Sequence, residues 1–432
     1  MEIRIYCHDM KPKIYGFVML VTLCMVQPVI GYSVLSHEEL IDMTWDSDLR
    51  PALLKRFPDA TPQELKRARS FAYGGAVVMD VGYYPLANHK FTDLVHYVRT
   101  GDFVAWMVRD ARNVEEYAFA LGVLSHYAAD SWGHESINLS VPLEYPKLRK
   151  KFGKWVTYEE DHEAHLRTEF SFDVLEVAKH RYNNQQYHDF IGFDVSEDQL
   201  ERAFLDTYGF SLDELLHFDD LTLATFRFAV ARVIPEMTEV ALATHKEEID
   251  REYHDRAKSE FLYHLSKADY EKQFGTKYRQ PGIFARILGF IIHLVPLGPA
   301  KILGYRPPTR VTEDYYFRST DQAIHHFREM VQQVNDGDLD FTNRNLDTGA
   351  LSREGDYRLA DQTYSDLARQ LQKDGFMHLT AALKANVLDY FAAGAPTNGC
   401  IGPKQWRKTE AALSELKQAV PAQPVSTPTA SR

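Results

Sequence analysis

Apolar positions recur at three- and four-residue intervals along most of the chain, and strand-like alternation is scarce. Thr61-Pro62-Gln63-Glu64 combines a capping box with proline at the first helical position. It opens a helix through an Ala/Arg/Phe-rich run to about Val78. Asn113, with Glu116 three residues on, starts a second helix that passes Leu121 and Leu124 and ends near Gly133. The same pattern predicts helices over roughly 159–182, 221–254, 319–335 and 360–393. No internal repeat is visible, and the expected fold class is all-α, a multi-helix bundle.

Two stretches break this pattern. Gln280-Pro281-Gly282 interrupts the chain, and residues 287–297 are then strongly apolar, flanked by Arg286 and Lys301. A bilayer span needs about 20 apolar residues, so this segment is too short to cross one. It reads as a core segment or as a loop dipping into a lipid interface, a peripheral membrane contact. At the N-terminus, Lys11 and Lys13 precede the mostly apolar stretch 14–30, which ends in Val29-Ile30-Gly31. This predicts a signal peptide over 1–31 and an exported protein, secreted or periplasmic. The competing reading is a short N-terminal membrane anchor; Pro28 and the limited length favour the signal peptide. The expected organisation is therefore a signal peptide (1–31), a helical domain (32–272), a helical C-terminal extension (273–420) and a disordered tail (421–432) rich in Pro, Ser, Thr and Ala.

Charge and cysteine content narrow the chemistry. The 432-residue chain has a formal net charge of −12, which disfavours broad nucleic-acid binding through phosphate neutralisation. It does not exclude a hydrolase that holds phosphate esters on metal ions. Of Cys7, Cys24 and Cys400, only Cys400 survives cleavage after Gly31. No internal disulfide and no cysteine-based zinc site can then form, so any metal must be held by histidine and carboxylate. There is no G-x-S-x-G elbow and no P-loop.

One motif stands out: His126-x-x-x-Asp130-x-x-x-His134 in LSHYAADSWGHESIN. On a helix each four-residue step turns by about 40°, so the three groups line one stripe. Imidazole and carboxylate are natural zinc ligands where thiolates are absent. The bland alternative is a buried polar cluster or ordinary helix surface. His165 and Glu169 repeat the four-residue spacing on the next predicted helix, with His162 as the alternative partner of Glu169. Upstream, Asp80 ends the helix of 62–79 and competes with Asp93 and Asp102. His96, in FTDLVHYVRTGDF, competes with His89, and His37 reads either as a ligand or as a cap of the first helix. Tyr83, Tyr84, Tyr127 and Trp132 read as cleft lining or as core.

The order of these groups, with the phrases MDVGYYP, FTDLVHYVRTGDF, HYAADSWGH and HLRTEFSFDV, resembles the superfamily that joins zinc-dependent phospholipase C with the single-strand-specific nucleases. The closest texture is the broad bacterial zinc-dependent phospholipase C domain, and the resemblance covers about residues 32–185. It implies a cluster of two to three Zn2+ ions in a cleft between helices. Carried over by motif, Tyr32 (through its amine and carbonyl), His37 and Asp130 hold one ion. Asp80, His96, His126 and a bridging Asp130 hold a second, and His134, His165 and Glu169 a third. Tyr32 stands where the best-known members place tryptophan, which loosens the inferred cleavage site. The four-residue step from Asp130 to His134 is shorter than in the secreted phospholipases, which leaves the substrate open. The implied activity is hydrolysis of phosphodiesters by zinc-bound hydroxide, with Asp80 also placed to accept the proton of the attacking water. Phospholipid is the expected substrate. A zinc-dependent single-strand nuclease and a non-catalytic metal-stabilised binding module are the alternatives.

Overall fold

The computed structural model describes residues 34–84, 87–178, 194–216 and 305–422. The expected signal peptide, Tyr32, the expected helix over 221–254, the apolar segment 287–297 and the tail from residue 423 lie outside the described residues. Within them the protein is all-helical, with no strand and only an isolated antiparallel bridge between Arg344 and Leu351. Among the described residues no helix is long and apolar enough to cross a membrane.

Helix α1 (Val34–Thr44) runs through a π-helical stretch (Trp45–Leu49) into α2 (Arg50–Arg56). α3 (Pro62–Val78) leads through a 3-10 turn (Val81–Tyr83) to α4 (His89–Tyr97), α5 (Thr100–Arg109) and α6 (Val114–Glu144). α7 (Pro146–Phe152), α8 (His162–Ala178) and α9 (Glu197–Tyr208) follow. The C-terminal part supplies α10 (Arg310–Asn335), α11 (Arg358–Lys373), α12 (Ala381–Tyr390) and α13 (Pro403–Gln418).

The α3 capping box forms as expected: the Thr61 hydroxyl accepts from the Glu64 amide, and Glu64 accepts from the Thr61 amide at 2.8 Å. Such a cap stabilises a helix by about 1 kcal/mol. Asn113 caps α6 in the same way, accepting the Glu116 amide at 2.8 Å. α6, however, does not stop near Gly133; it continues to Glu144 through Pro142. Nearly every residue from Tyr117 to Ser131 is buried, and a helix apolar all round is sustained by packing on every side. The predicted helix over 360–393 divides into α11 and α12, because Gly375 and Phe376 both take positive φ. α10 begins earlier than expected, where Thr309 and Thr312 form a capping pair.

α6 is the axis of the molecule, with α3 and α10 packed along it. Two glycines set the α3–α6 approach. A Cβ on Gly75 would lie 2.1 Å from the Phe119 carbonyl oxygen, and one on Gly122 would lie 2.2 Å from that of Ala72. The two backbones therefore touch, one turn ahead of His126. The segment 341–352 lies across α4, α5 and α6. Leu346 donates its amide to the His96 carbonyl (3.0 Å), Tyr127 its hydroxyl to the Thr342 carbonyl (2.6 Å), and Asn138 its amide to the Asp347 carbonyl (2.7 Å).

Candidate metal centre

Five elements converge on one buried volume. α6 presents His126, Asp130 and His134 as the stripe their spacing dictates, and all three are buried. α1 supplies His37, α4 supplies His96, α8 supplies His165 and Glu169, and Asp80 sits in the turn after α3. Three sets of ligand atoms lie within 4.8 Å of one another: His37, His126 and Asp130; Asp80, His96 and His126; and His134, His165 and Glu169.

Asp130 is the hub. Its Oδ1 is 3.4 Å from His37 Nε2 and 3.5 Å from His134 Nε2. Its Oδ2 is 3.3 Å from His96 Nε2 and 3.1 Å from His126 Nε2. Asp80 Oδ1 approaches His96 Nε2 at 3.3 Å, and Glu169 Oε1 approaches His165 Nε2 at 2.8 Å. His126 belongs to two of the three sets, and Asp130 turns Oδ1 toward His37 and His134 and Oδ2 toward His96 and His126.

The histidine tautomers follow from the backbone. His96 Nδ1 meets the Thr92 carbonyl at 2.9 Å, and His126 Nδ1 meets the Ala76 carbonyl at 2.8 Å. A carbonyl only accepts, so both Nδ1 atoms carry protons. In the neutral rings both Nε2 atoms are then lone pairs, and they face each other at 3.3 Å. That juxtaposition repels unless a cation lies between them. The buried oxygens of Asp80, Asp130 and Glu169 also accept no hydrogen bond among the described residues. Buried polar atoms of this kind are costly unless satisfied. The donor set, imidazole and carboxylate with no thiolate, fits zinc.

The electrostatics express the same tension. Burial and the neighbouring His126 lower the His37 pKa to about 3. Burial, then His134, holds His165 well below its ordinary value. Glu169 is pushed well above its ordinary range, first by burial and then by Asp80 and Asp130. Burial opposes the charged form of His96, but Asp130 and Asp80 outweigh it and raise that ring well above its usual value. Without a cation the carboxylates can be matched only by protons.

Residues 36–214 match the family model of zinc dependent phospholipase C. Over these residues the chain is similar to zinc-dependent phospholipase C domains. Comparison of the chain with curated proteins and with solved structures gives no match. The matched segment contains His37, Asp80, His96, His126, Asp130, His134, His165 and Glu169.

Within the matched segment, the competing positions lie elsewhere. Asp102 accepts from Arg99 and Asn343, and Asp93 lines a separate pocket with Lys90, Phe210 and Asp366. His89 and His162 are exposed. Their rings lie near Tyr83 and Tyr158 at 5.6 and 4.2 Å, on the outer side of the cluster. His37 is an interior residue of α1, its ring stacked on His126 at 4.2 Å, so it is no cap. Tyr83 approaches His96 at 6.2 Å between ring centres, but Tyr127 turns away to anchor Thr342, and Trp132 stacks on His326.

Two residues escaped the sequence reading. Asp173 accepts the Leu35 amide at 3.0 Å and fixes the start of α1. Its signal was present, since His165, Glu169 and Asp173 continue one four-residue stripe. Asp347 lies outside the matched segment, in the stretch crossing α4 and α6. Its Oδ1 is 3.7 Å from His134 Nδ1, the face of that ring turned away from Asp130. Its Oδ2 accepts from Tyr97 (2.8 Å) and Tyr357 (2.5 Å). No periodicity marks a carboxylate in such a loop.

Proposed function

We propose that the protein is an exported zinc-dependent phosphodiesterase that acts on phospholipid. The observation that carries the metal part is the pair of His96 and His126 Nε2 atoms, facing each other at 3.3 Å beside Asp80 and Asp130. His37, His96, His126, His134, His165, Asp80, Asp130 and Glu169 would hold two to three zinc ions, with Tyr32 as a further ligand through its free amine and carbonyl. Bound zinc supplies a Lewis acid for the phosphoryl oxygens and lowers the pKa of water toward neutrality. The chain's own groups do the rest. Thr92 and Ala76 fix two imidazoles through their carbonyls. Burial excludes bulk water from the carboxylates and strengthens each charge interaction. Asp80, which borders the cluster, would take a proton from the attacking water.

The net charge of −12 favours a lipid substrate over nucleic acid. Export rests on the character of residues 1–31, and N-terminal sequencing of the exported form should read Tyr32 first. The deciding assay sets purified zinc-loaded protein against phosphatidylcholine and single-stranded DNA. Release of the phosphorylated head group is expected. Cleavage of DNA alone would make it a nuclease, and inertness toward both, with zinc retained, would make it a binding module.

A further inference from the structure

We propose that α7 and the turn after it form a docking surface for an anionic phospholipid bilayer. The segment PKLRKKFGKW carries Lys147, Arg149, Lys150, Lys151 and Lys154 and no acidic residue, on a chain whose net charge is −12. No residue of α7 is buried. Among the described residues none of these five cations pairs with a carboxylate. The next acids in the chain are engaged elsewhere: Glu159 accepts the Arg358 amide at 2.8 Å and Glu160 the Thr157 amide at 2.7 Å. Among the described residues the cations therefore stand as an uncompensated patch, the electrostatic requirement for a negatively charged lipid surface.

Apolar and aromatic groups are interleaved with the charges. Trp155 is 37% exposed, one of few large apolar side chains open to solvent among the described residues. Half-buried Phe152 lies beneath Lys151, whose Nζ is 4.4 Å from the ring centre. A basic face with tryptophan and phenylalanine suits the headgroup region, where the ring enters and the ammonium groups stay at the phosphates. The presentation is fixed. Gly153 ends α7 at φ 98°, and buried Val156 donates its amide to the Asn138 carbonyl of α6 at 3.1 Å. Three residues after Trp155, Tyr158 lies against His162 and, at 5.7 Å, against the buried His165. Three residues span at most about 10 Å, so the patch borders the cluster. Charge complementarity suits any anionic surface, and the exposed Trp155 beside half-buried Phe152 favours lipid over nucleic acid; the proposal rests on the phospholipid reading of the site.

The test compares co-sedimentation of the full protein with vesicles of phosphatidylcholine alone and of phosphatidylcholine mixed with phosphatidylserine. Binding should require phosphatidylserine. It should weaken steeply with salt, as the screening length falls from about 10 Å at 0.1 M to about 3 Å at 1 M. The combined variant Lys147→Gln, Arg149→Gln, Lys150→Gln, Lys151→Gln should lose on the order of 1,000-fold in partitioning. Trp155→Ala should lose several-fold. Both should keep the melting temperature and zinc content of the parent, since the altered side chains are exposed. Equal binding to both vesicle types, or undiminished binding by the combined variant, overturns the proposal. So does tighter binding of the parent to single-stranded DNA than to phosphatidylserine vesicles, lost in the same variant. Vesicle binding without phospholipid turnover would keep this surface and refute the proposed activity, so the two failures are distinguishable.

Discussion

Replacing Asp347 separates orientation of the cluster from support of the fold. Its carboxylate is 3% exposed; one oxygen serves the hydroxyls of Tyr97 and Tyr357, and the other faces His134 Nδ1 at 3.7 Å. In Asp347→Asn the oxygen stays with the two tyrosines only if the amide NH2 points at His134. A donor there favours the lone pair on Nδ1 and moves the ring proton to Nε2, the atom 3.9 Å from Glu169 Oε1. A protonated Nε2 cannot ligate. Losing a carboxylate behind a ligating histidine typically costs 10–100-fold in metal affinity, or about 1.4–2.7 kcal/mol. The melting temperature of the metal-free protein should move little, because the tyrosines keep their acceptor. Asp347→Ala should show the same loss of zinc and also destabilise the metal-free protein, since each stranded buried hydroxyl costs about 1–3 kcal/mol. Competition titration against a chromophoric chelator reads the first effect, and thermal melts in excess chelator read the second. If Asp347→Asn binds every equivalent of zinc as tightly as the parent, Asp347 does not orient His134 and the assignment is wrong.

Asp130→Asn should lose more than one equivalent of zinc by elemental analysis, because both oxygens of Asp130 face histidines of different sets; a parent protein purified with zinc that contains none refutes the cluster. Gly122→Val should cost about 3 kcal/mol or more, or abolish soluble expression, since even a Cβ there would sit 2.2 Å from the Ala72 carbonyl oxygen; a melting temperature within a degree or two of the parent would contradict the α3–α6 contact. Burial pushes the Glu144 carboxyl from 4.5 up to about 8. The native state thus holds a proton that the unfolded chain has lost between those values. Its stabilising effect is complete below about pH 4.5 and disappears as pH rises through about 8, by about 3–5 kcal/mol at most. Glu144→Gln should flatten that part of a stability–pH curve by denaturant titration, and an unchanged slope would refute the assignment.

The sequence was most legible where local physics acts alone. The α3 capping box and the Asn113 cap are contests within four residues, and both helices start where their caps stand. The stripe of His126, Asp130 and His134 needed only helical periodicity. Tertiary forces escaped this reading. α6 runs past Gly133 because surrounding helices bury it, and α11 ends because Gly375 and Phe376 adopt a left-handed turn. The roles of the aromatic residues were also invisible: Tyr127 is committed to a carbonyl 215 residues away. Asp347 is the clearest case, a buried carboxylate brought to His134 by a loop whose position depends on hydrogen bonds to α4, α5 and α6.

The charge balance of the centre leads to a last expectation. Asp80, Asp130 and Glu169 bring three negative charges if all are ionised, and the five histidines bring none when neutral. With the Asp347 carboxylate behind His134 as a fourth negative charge, two divalent cations leave the centre neutral and three leave it at two positive charges, the case taken here. A phosphodiester carries one negative charge, whereas the monoester released by a phospholipase C-type cleavage carries about −1.5 to −2 near neutral pH, as other monoesters do. In a buried, low-dielectric site that difference is amplified. Product and inorganic phosphate should therefore bind more tightly than substrate, and phosphate should inhibit competitively and slow the removal of zinc by chelators. Methylphosphonate and its monomethyl ester, similar in shape but differing by about one charge, provide the comparison. The more highly charged anion should inhibit at least tenfold more strongly, a difference of about 1.4 kcal/mol. Equal inhibition by the two would show that the centre carries no surplus positive charge, and with it the assignment of three ions to the centre would fall.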